Sequence, residues 1–193
     1  LTGAPTASAN LTARPITVTA VTGTKVYDGT TSSAGVPTIT TGALQGTDSV
    51  AWTQTYDNKN IGSGNKTMTA AGTVSDGNSG LNYSVTFATN TTGSITAKSL
   101  TIGGTFTANN KVYDATTSAT ILVNSLTLTG VVGAETVTLT PVLVFADKNA
   151  SGTPKTVSLT GSSIAGIDSG NYTLSLTGAP TASANLTARP ITV

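Results

Sequence analysis

The stretch LTGAPTASANLTARPITV at residues 1–18 returns unchanged at residues 176–193, a displacement of 175 positions. A copy that faithful marks an array that grows by duplication, and it obliges whatever lies between the copies to fold within one period. The period divides again. Lys25-Val-Tyr-Asp-Gly-Thr-Thr-Ser-Ser33 matches Lys111-Val-Tyr-Asp-Ala-Thr-Thr-Ser-Ala119, 86 positions later. Three further landmarks recur at a displacement of 89: Tyr56-Asp-Asn-Lys-Asn60 as Phe145-Ala-Asp-Lys-Asn149, Lys66-Thr67 as Lys155-Thr156, and Asn82-Tyr83 as Asn171-Tyr172. The joint at Ala13–Val18 resembles residues 97–102 and is restored at residues 188–193, with spacings of 84 and 91. The expected organisation is therefore a tail of a preceding repeat at 1–12, a first β-module at 13–97, a second at 98–188, and the start of another repeat at 189–193. A window on a longer, monotonous protein is expected, with a function that is mechanical and spatial.

Within each module apolar residues alternate with Thr or Ser at the two-residue period of a half-buried strand. Val50, Trp52 and Tyr56 share one face, and Val137, Leu139, Leu143 and Phe145 share the matching one. The second module holds two extra residues between these ends, an even number that keeps the same face inward and predicts one continuous strand. The same alternation pairs Tyr83, Val85 and Phe87 with Tyr172, Leu174 and Leu176, Met68 and Ala70 with Val157 and Leu159, and Ile16 and Val18 with Leu100 and Ile102. Clusters such as Asp76-Gly-Asn-Ser-Gly80 and Asp168-Ser-Gly-Asn171 supply the turns. No stretch sustains a helical period. Six or seven short strands per module predict an all-β fold of two tandem small sandwiches, immunoglobulin-like, with a β-grasp arrangement as the alternative. Short Thr-Ala-Arg-Pro and Thr-Ala-Lys-Ser joints, stiffened by Pro15 and Pro190, predict an elongated end-to-end row. Each module would add on the order of 25 Å or more if one strand of about eight residues spans it.

Composition narrows the functions. With 42 threonines and 21 glycines the vocabulary is that of strands and turns. Nine basic and eight acidic residues leave a net charge of +1 with no run of either sign, which argues against nucleic acid or an anionic membrane as partner. No segment approaches the roughly 18 apolar residues of a membrane-inserted helix. Cysteine is absent, removing disulfides and thiolate sites, and a cysteine-free repetitive chain suits a long bacterial surface protein. Histidine is absent too, so neither a Ser-His-Asp nor a Cys-His arrangement can be assembled. The eight carboxylates are spread over many turns, and the expectation is that the protein is not an enzyme and takes no cofactor.

The stretch Lys25 to Thr31, followed by a Lys-Asn and Gly-rich segment, an Asn-Tyr strand and an Ile-Thr-Ala-Lys joint, resembles the YDG-type repeat of very large bacterial surface proteins, including those similar to filamentous haemagglutinin. The resemblance covers both modules. It implies a secreted, cell-surface adhesin or stalk segment and supplies no catalytic residue. Its structural motif falls on Lys25, Tyr27, Asp28 and Gly29, and on Lys111, Tyr113 and Asp114. Ala115 stands where the motif has Gly, which counts against a positive φ in the second copy. In both copies the expected arrangement is a turn in which the ring packs and the carboxylate accepts backbone N–H groups.

Other features invite sharper readings. Asp76 with Asn78, and Asp168 with Asn171, have oxygens that suit Ca²⁺, although neither loop has the acidic density of a tight site, so no metal is expected. Trp52, the only tryptophan, aligns with Leu139 and is expected in the core rather than on a sugar-binding platform. Lys66 and Lys155 are matched candidates for a covalent Lys-to-Asn crosslink. The function expected is a stalk or spacer repeat that projects a distal binding domain and bears tension. Its partners are neighbouring repeats of the same chain, with any host or glycan contact made through other domains, and the state expected is a monomer. The alternative is a module that itself binds a glycan or host protein.

Overall fold

The computed structural model describes Gly3 and residues 6–192. Four residues of the leading stretch 1–12, and Val193 of the closing stretch 189–193, lie outside the described residues. The chain divides into two units, one made of the residues up to Lys25 with Thr30–Thr96, the other of Val26–Gly29 with Ala97–Val193. Both are all-β.

Unit 1 carries β1 (Arg14–Thr19), β2 (Thr24–Val26, whose last residue is counted with unit 2), β3 (Thr38–Thr41), β4 (Ser49–Tyr56), β5 (Gly62–Ser75), β6 (Tyr83–Ala88) and β7 (Asn90–Thr96). They form two sheets, ordered β3-β1-β6 and β2-β7-β5-β4. Strand β1 is antiparallel to β3 but parallel to β6, in register from Arg14 opposite Tyr83 to Thr19 opposite Ala88. Alternation places Ile16 and Val18 of β1, Trp52 and Tyr56 of β4, and Met68, Ala70 and Val74 of β5 in the core. Burying an aliphatic or Met side chain of this kind contributes about 1.5–3 kcal/mol.

Unit 2 repeats the plan with longer arms and more interruptions. Its strands are β8 (Lys98–Ala108), β9 (Lys111–Val112), β10 (Ser118–Ala119), β11 (Ile121–Thr129), β12 (Thr138–Thr140), β13 (Leu143–Phe145), β14 (Lys155–Ser158), β15 (Ser163–Ala165), β16 (Tyr172–Ser175), β17 (Ala182–Ala184) and β18 (Leu186–Thr187). The first sheet, β11-β8-β16, matches β3-β1-β6, with β16 again parallel to β8. The rest forms a four-stranded sheet, β10-β13-β14-β17, and the pairs β12-β15 and β9-β18. The single continuous strand expected across Val137 to Phe145 is instead two, β12 and β13. Pro141 has no N–H to give a ladder, and the Val142 N–H goes to Ser162 Oγ at 2.9 Å. Inward facing survives the break, with Leu139 packed against the core and Leu143 and Phe145 buried in it. These pairings establish the all-β class; the immunoglobulin-like order and its grasp alternative do not follow from them.

The duplicated eighteen residues show what decides strand formation. At the first copy Arg14–Thr19 is a strand with Val18 fully buried, while residues 7–12 have no strand and Leu11 is fully exposed. At the second copy the halves exchange roles: Leu186 is fully buried in β18, residues 188–192 have no strand, and Ile191 is 88% exposed. The stretch thus holds, in its earlier part, strands that close one unit and, in its later part, the strand that opens another.

Candidate functional site

The Lys-Val-Tyr-Asp motif builds its loop from the lysine outward. Lys111 Nζ reaches the Thr116 carbonyl at 3.1 Å, the Ser118 carbonyl at 2.8 Å and Asp114 Oδ1 at 2.8 Å. Lys25 likewise donates to the Thr30 carbonyl at 2.8 Å and lies over the Tyr56 ring, 5.3 Å from its centre. An ammonium on a flexible stem suits this task, because it offers three donors to a turn whose carbonyls face one point. Asp114 also accepts the Thr116 N–H at 2.9 Å. The Lys111 ammonium first, and that N–H second, pull the Asp114 carboxyl down to about 2. Gly29 has φ +78° and Ala115 has φ +66°. The left-handed turn persists in the second copy despite the Ala, contrary to the expectation from its Cβ.

The motif tyrosine is the part that meets other chemistry. In unit 2 Tyr27 is buried, and its hydroxyl donates to Glu135 Oε1 at 2.5 Å. Tyr172 donates to the other oxygen, Oε2, at 2.5 Å and accepts the Val132 N–H at 3.0 Å. The two rings meet edge to face, centres 5.4 Å apart. One carboxylate thus clamps two tyrosines, charge-assisted on both oxygens. Burial, then the bond to Glu135, pushes the Tyr172 hydroxyl up to about 12.

Unit 1 holds the same scaffold in other residues. Tyr83 donates to Asp48 Oδ2 at 2.6 Å and accepts the Gln45 N–H at 2.8 Å. The turn beneath is shared, Asp48 N–H to the Gln45 carbonyl at 3.0 Å and Glu135 N–H to the Val132 carbonyl at 3.2 Å. The hydrogen bond to Asp48, then burial, raises the Tyr83 pKa above its ordinary value. Sequence reasoning missed this acid pair. The signal was available, since Asp48 and Glu135 stand 87 positions apart, between displacements of 86 and 89, ahead of the matched Asn-Tyr landmarks.

The remaining candidates serve the loops. Lys66, nearly buried, donates to Asn58 Oδ1 and lies 3.4 Å from Asp57, which is 40% exposed. Lys155 pairs with both oxygens of Asp147, at 2.8 and 2.7 Å, and this lowers the Asp147 pKa. Ala146 stands where unit 1 has Asp57, so the two lysines face different groups. Asp76 accepts the N–H groups of Asn78 and Gly80 on Oδ1 and of Asn82 on Oδ2. Desolvation disfavours its charge, yet these donors hold its pKa low. Asp168 accepts the Thr136 N–H at 2.8 Å, and Asn171 lies in the short 3-10 turn Ser169–Asn171. Among the described residues no group of three or more His, Cys, Asp and Glu is placed to hold a metal ion. Trp52 is 7% exposed with its ring edge on to Phe87, a core position.

A family model described as the YDG domain matches the chain twice, over residues 12–92 and 96–183. Comparison with curated proteins found no match, and comparison with solved structures found none either.

Proposed function

The chain belongs to the YDG domain family through both of these matches, and on that premise we propose that it is a structural spacer repeat of a bacterial cell-surface adhesin, exported with its array, projecting a distal binding domain and bearing tension. The observation that carries the reading is the duplicated stretch: the same eighteen residues give β1 at one end and β17 with β18 at the other. A segment that opens one module and closes another lets an array lengthen by whole periods without new sequence, and length is what a spacer supplies. The strand pairing supports the mechanical part. Within unit 1, β1 is bonded to β3 on one side and to β6 in parallel over six residues on the other. Pulling along β1 loads these bonds together rather than one at a time.

The reading assigns no catalysis and no cofactor. Its partners are neighbouring repeats, and any host or glycan contact belongs to other domains. A glycan array and a cell-adhesion assay with the 193-residue chain test it. Background binding in both is expected, whereas saturable binding to a glycan or host protein would replace the spacer with a direct-binding module.

A further inference from the structure

We propose that the Asp48–Tyr83 pair of unit 1 is a docking site for a motif tyrosine from another copy of this repeat, namely Tyr113, as Glu135–Tyr172 is for Tyr27 in unit 2. The inference goes beyond the spacer reading and holds for any role of the array. The two sites correspond atom for atom at their base. Each has a tyrosine hydroxyl donating to a carboxylate and accepting a backbone N–H, above a turn closed by the acid's own N–H. They differ in occupancy. Glu135 receives Tyr172 on one oxygen and Tyr27 on the other, while Asp48 receives Tyr83 on Oδ2, with Oδ1 open to a second hydroxyl among the described residues.

The occupant follows from the motif. Tyr113 holds the place of Tyr27 in the second Lys-Val-Tyr-Asp stretch, and its loop keeps the same left-handed turn one residue past the Asp. It is half-buried against the core of unit 2, and its hydroxyl has no hydrogen-bond partner among the described residues. Spacing agrees as well. Tyr27 precedes Glu135 by 108 residues, and if the 175-residue period continues, Tyr113 precedes the next Asp48 by 110. Docking would place a second phenol on the carboxylate and a second ring against Tyr83, an edge-to-face contact of the kind Tyr27 makes.

The test is a chain of residues 1–193 continued directly by residues 19–193, which adds one period without a foreign joint because 176–193 repeats 1–18. Both chains are nitrated with tetranitromethane and the peptide holding Tyr113 is quantified by mass spectrometry. The two periods yield the same peptide, so protection of the first Tyr113 halves the nitrated fraction relative to the 193-residue chain. An unchanged fraction overturns the proposal. Asp48→Asn in the second period alone should restore the full fraction, and Asp48→Glu, which installs the acid of the occupied site, should keep it halved. A fraction that stays halved in Asp48→Asn also overturns the assignment, since something other than this carboxylate would then cover Tyr113.

Discussion

Ala115 occupies a backbone conformation that an L side chain adopts at a cost of about 1 kcal/mol, and it does so to keep the motif loop in the shape Gly29 gives the first copy. Ala115→Gly should therefore raise the stability of unit 2 by about 1 kcal/mol, read from chemical denaturation. Gly29→Ala should cost more than that, because the added Cβ would also come within 2.8 Å of Val132 Cγ1. Two other residues contribute to the pH limits. Asp114 has a folded pKa of about 2, below the ordinary value of 3.8. Its contribution is thus present above about pH 4 and is lost as pH falls through 2. Tyr172 is shifted the other way, from 10 to about 12, so its contribution is whole below about pH 10 and is lost as pH rises through 12. Denaturation midpoints across pH should fall at both ends, with Asp114→Asn reducing the acid limb, which Asp76 and Asp147 share, and Tyr172→Phe reducing the alkaline one, which Tyr83 shares. An alkaline limb unchanged by Tyr172→Phe would mean that other groups cause it.

At the scale of strands, Gln54 is the clearest departure from a simple apolar face. It is buried in β4, accepts the Val21 N–H at 2.8 Å and returns a bond to the Val21 carbonyl at 3.0 Å, standing in for a strand partner. The aligned position in unit 2 is Leu143, which is buried without such a duty. Gln54→Leu should destabilise unit 1 by about 2 kcal/mol, since unpaired buried backbone groups cost about 1–3 kcal/mol, more than the added apolar burial returns. Strand faces such as Ile16 with Val18 and Met68 with Ala70 were legible in the sequence because a period of two reports directly on which side is dry. The parallel pairing of β1 with β6 was not legible, since alternation names a face and not a partner. The break at Pro141 was legible in principle, because the missing N–H is written in the residue, but the even two-residue insertion hid it by preserving the face. Of the candidate site, the Lys, Tyr and Asp of the motif could be read from repetition. The acid that receives the tyrosine was written only in its spacing, 87 positions between Asp48 and Glu135, because the two differ in type and lie in loops of dissimilar sequence.

For the whole molecule the question is how a chain built from a divided period answers force. Apart from Val26 at the end of β2, each sheet is built from the residues of one unit, so the cooperative step of unfolding is expected to belong to a unit rather than to the period. Modules of 84 and 91 residues, extended to at most ~3.6 Å per residue, each release a contour length of about 300 Å. A single chain pulled from both ends should therefore show two steps of about that size for every 175 residues. The steps should differ in force, because the eight-pair arm of β4 and β5 in unit 1 is broken at Pro141 in its unit 2 counterpart, β12 and β13, while the eight-pair arm of β8 and β11 in unit 2 stands where β1 and β3 share three. Removing that difference tests its cause. Deleting Pro141 and Val142, the two residues between these strands, should let them join as they do in β4 and bring the unit 2 step towards the force of unit 1. One step of about 600 Å in the parent chain would show instead that the period unfolds as a whole, and the proposal of a spacer made of independent links would be overturned.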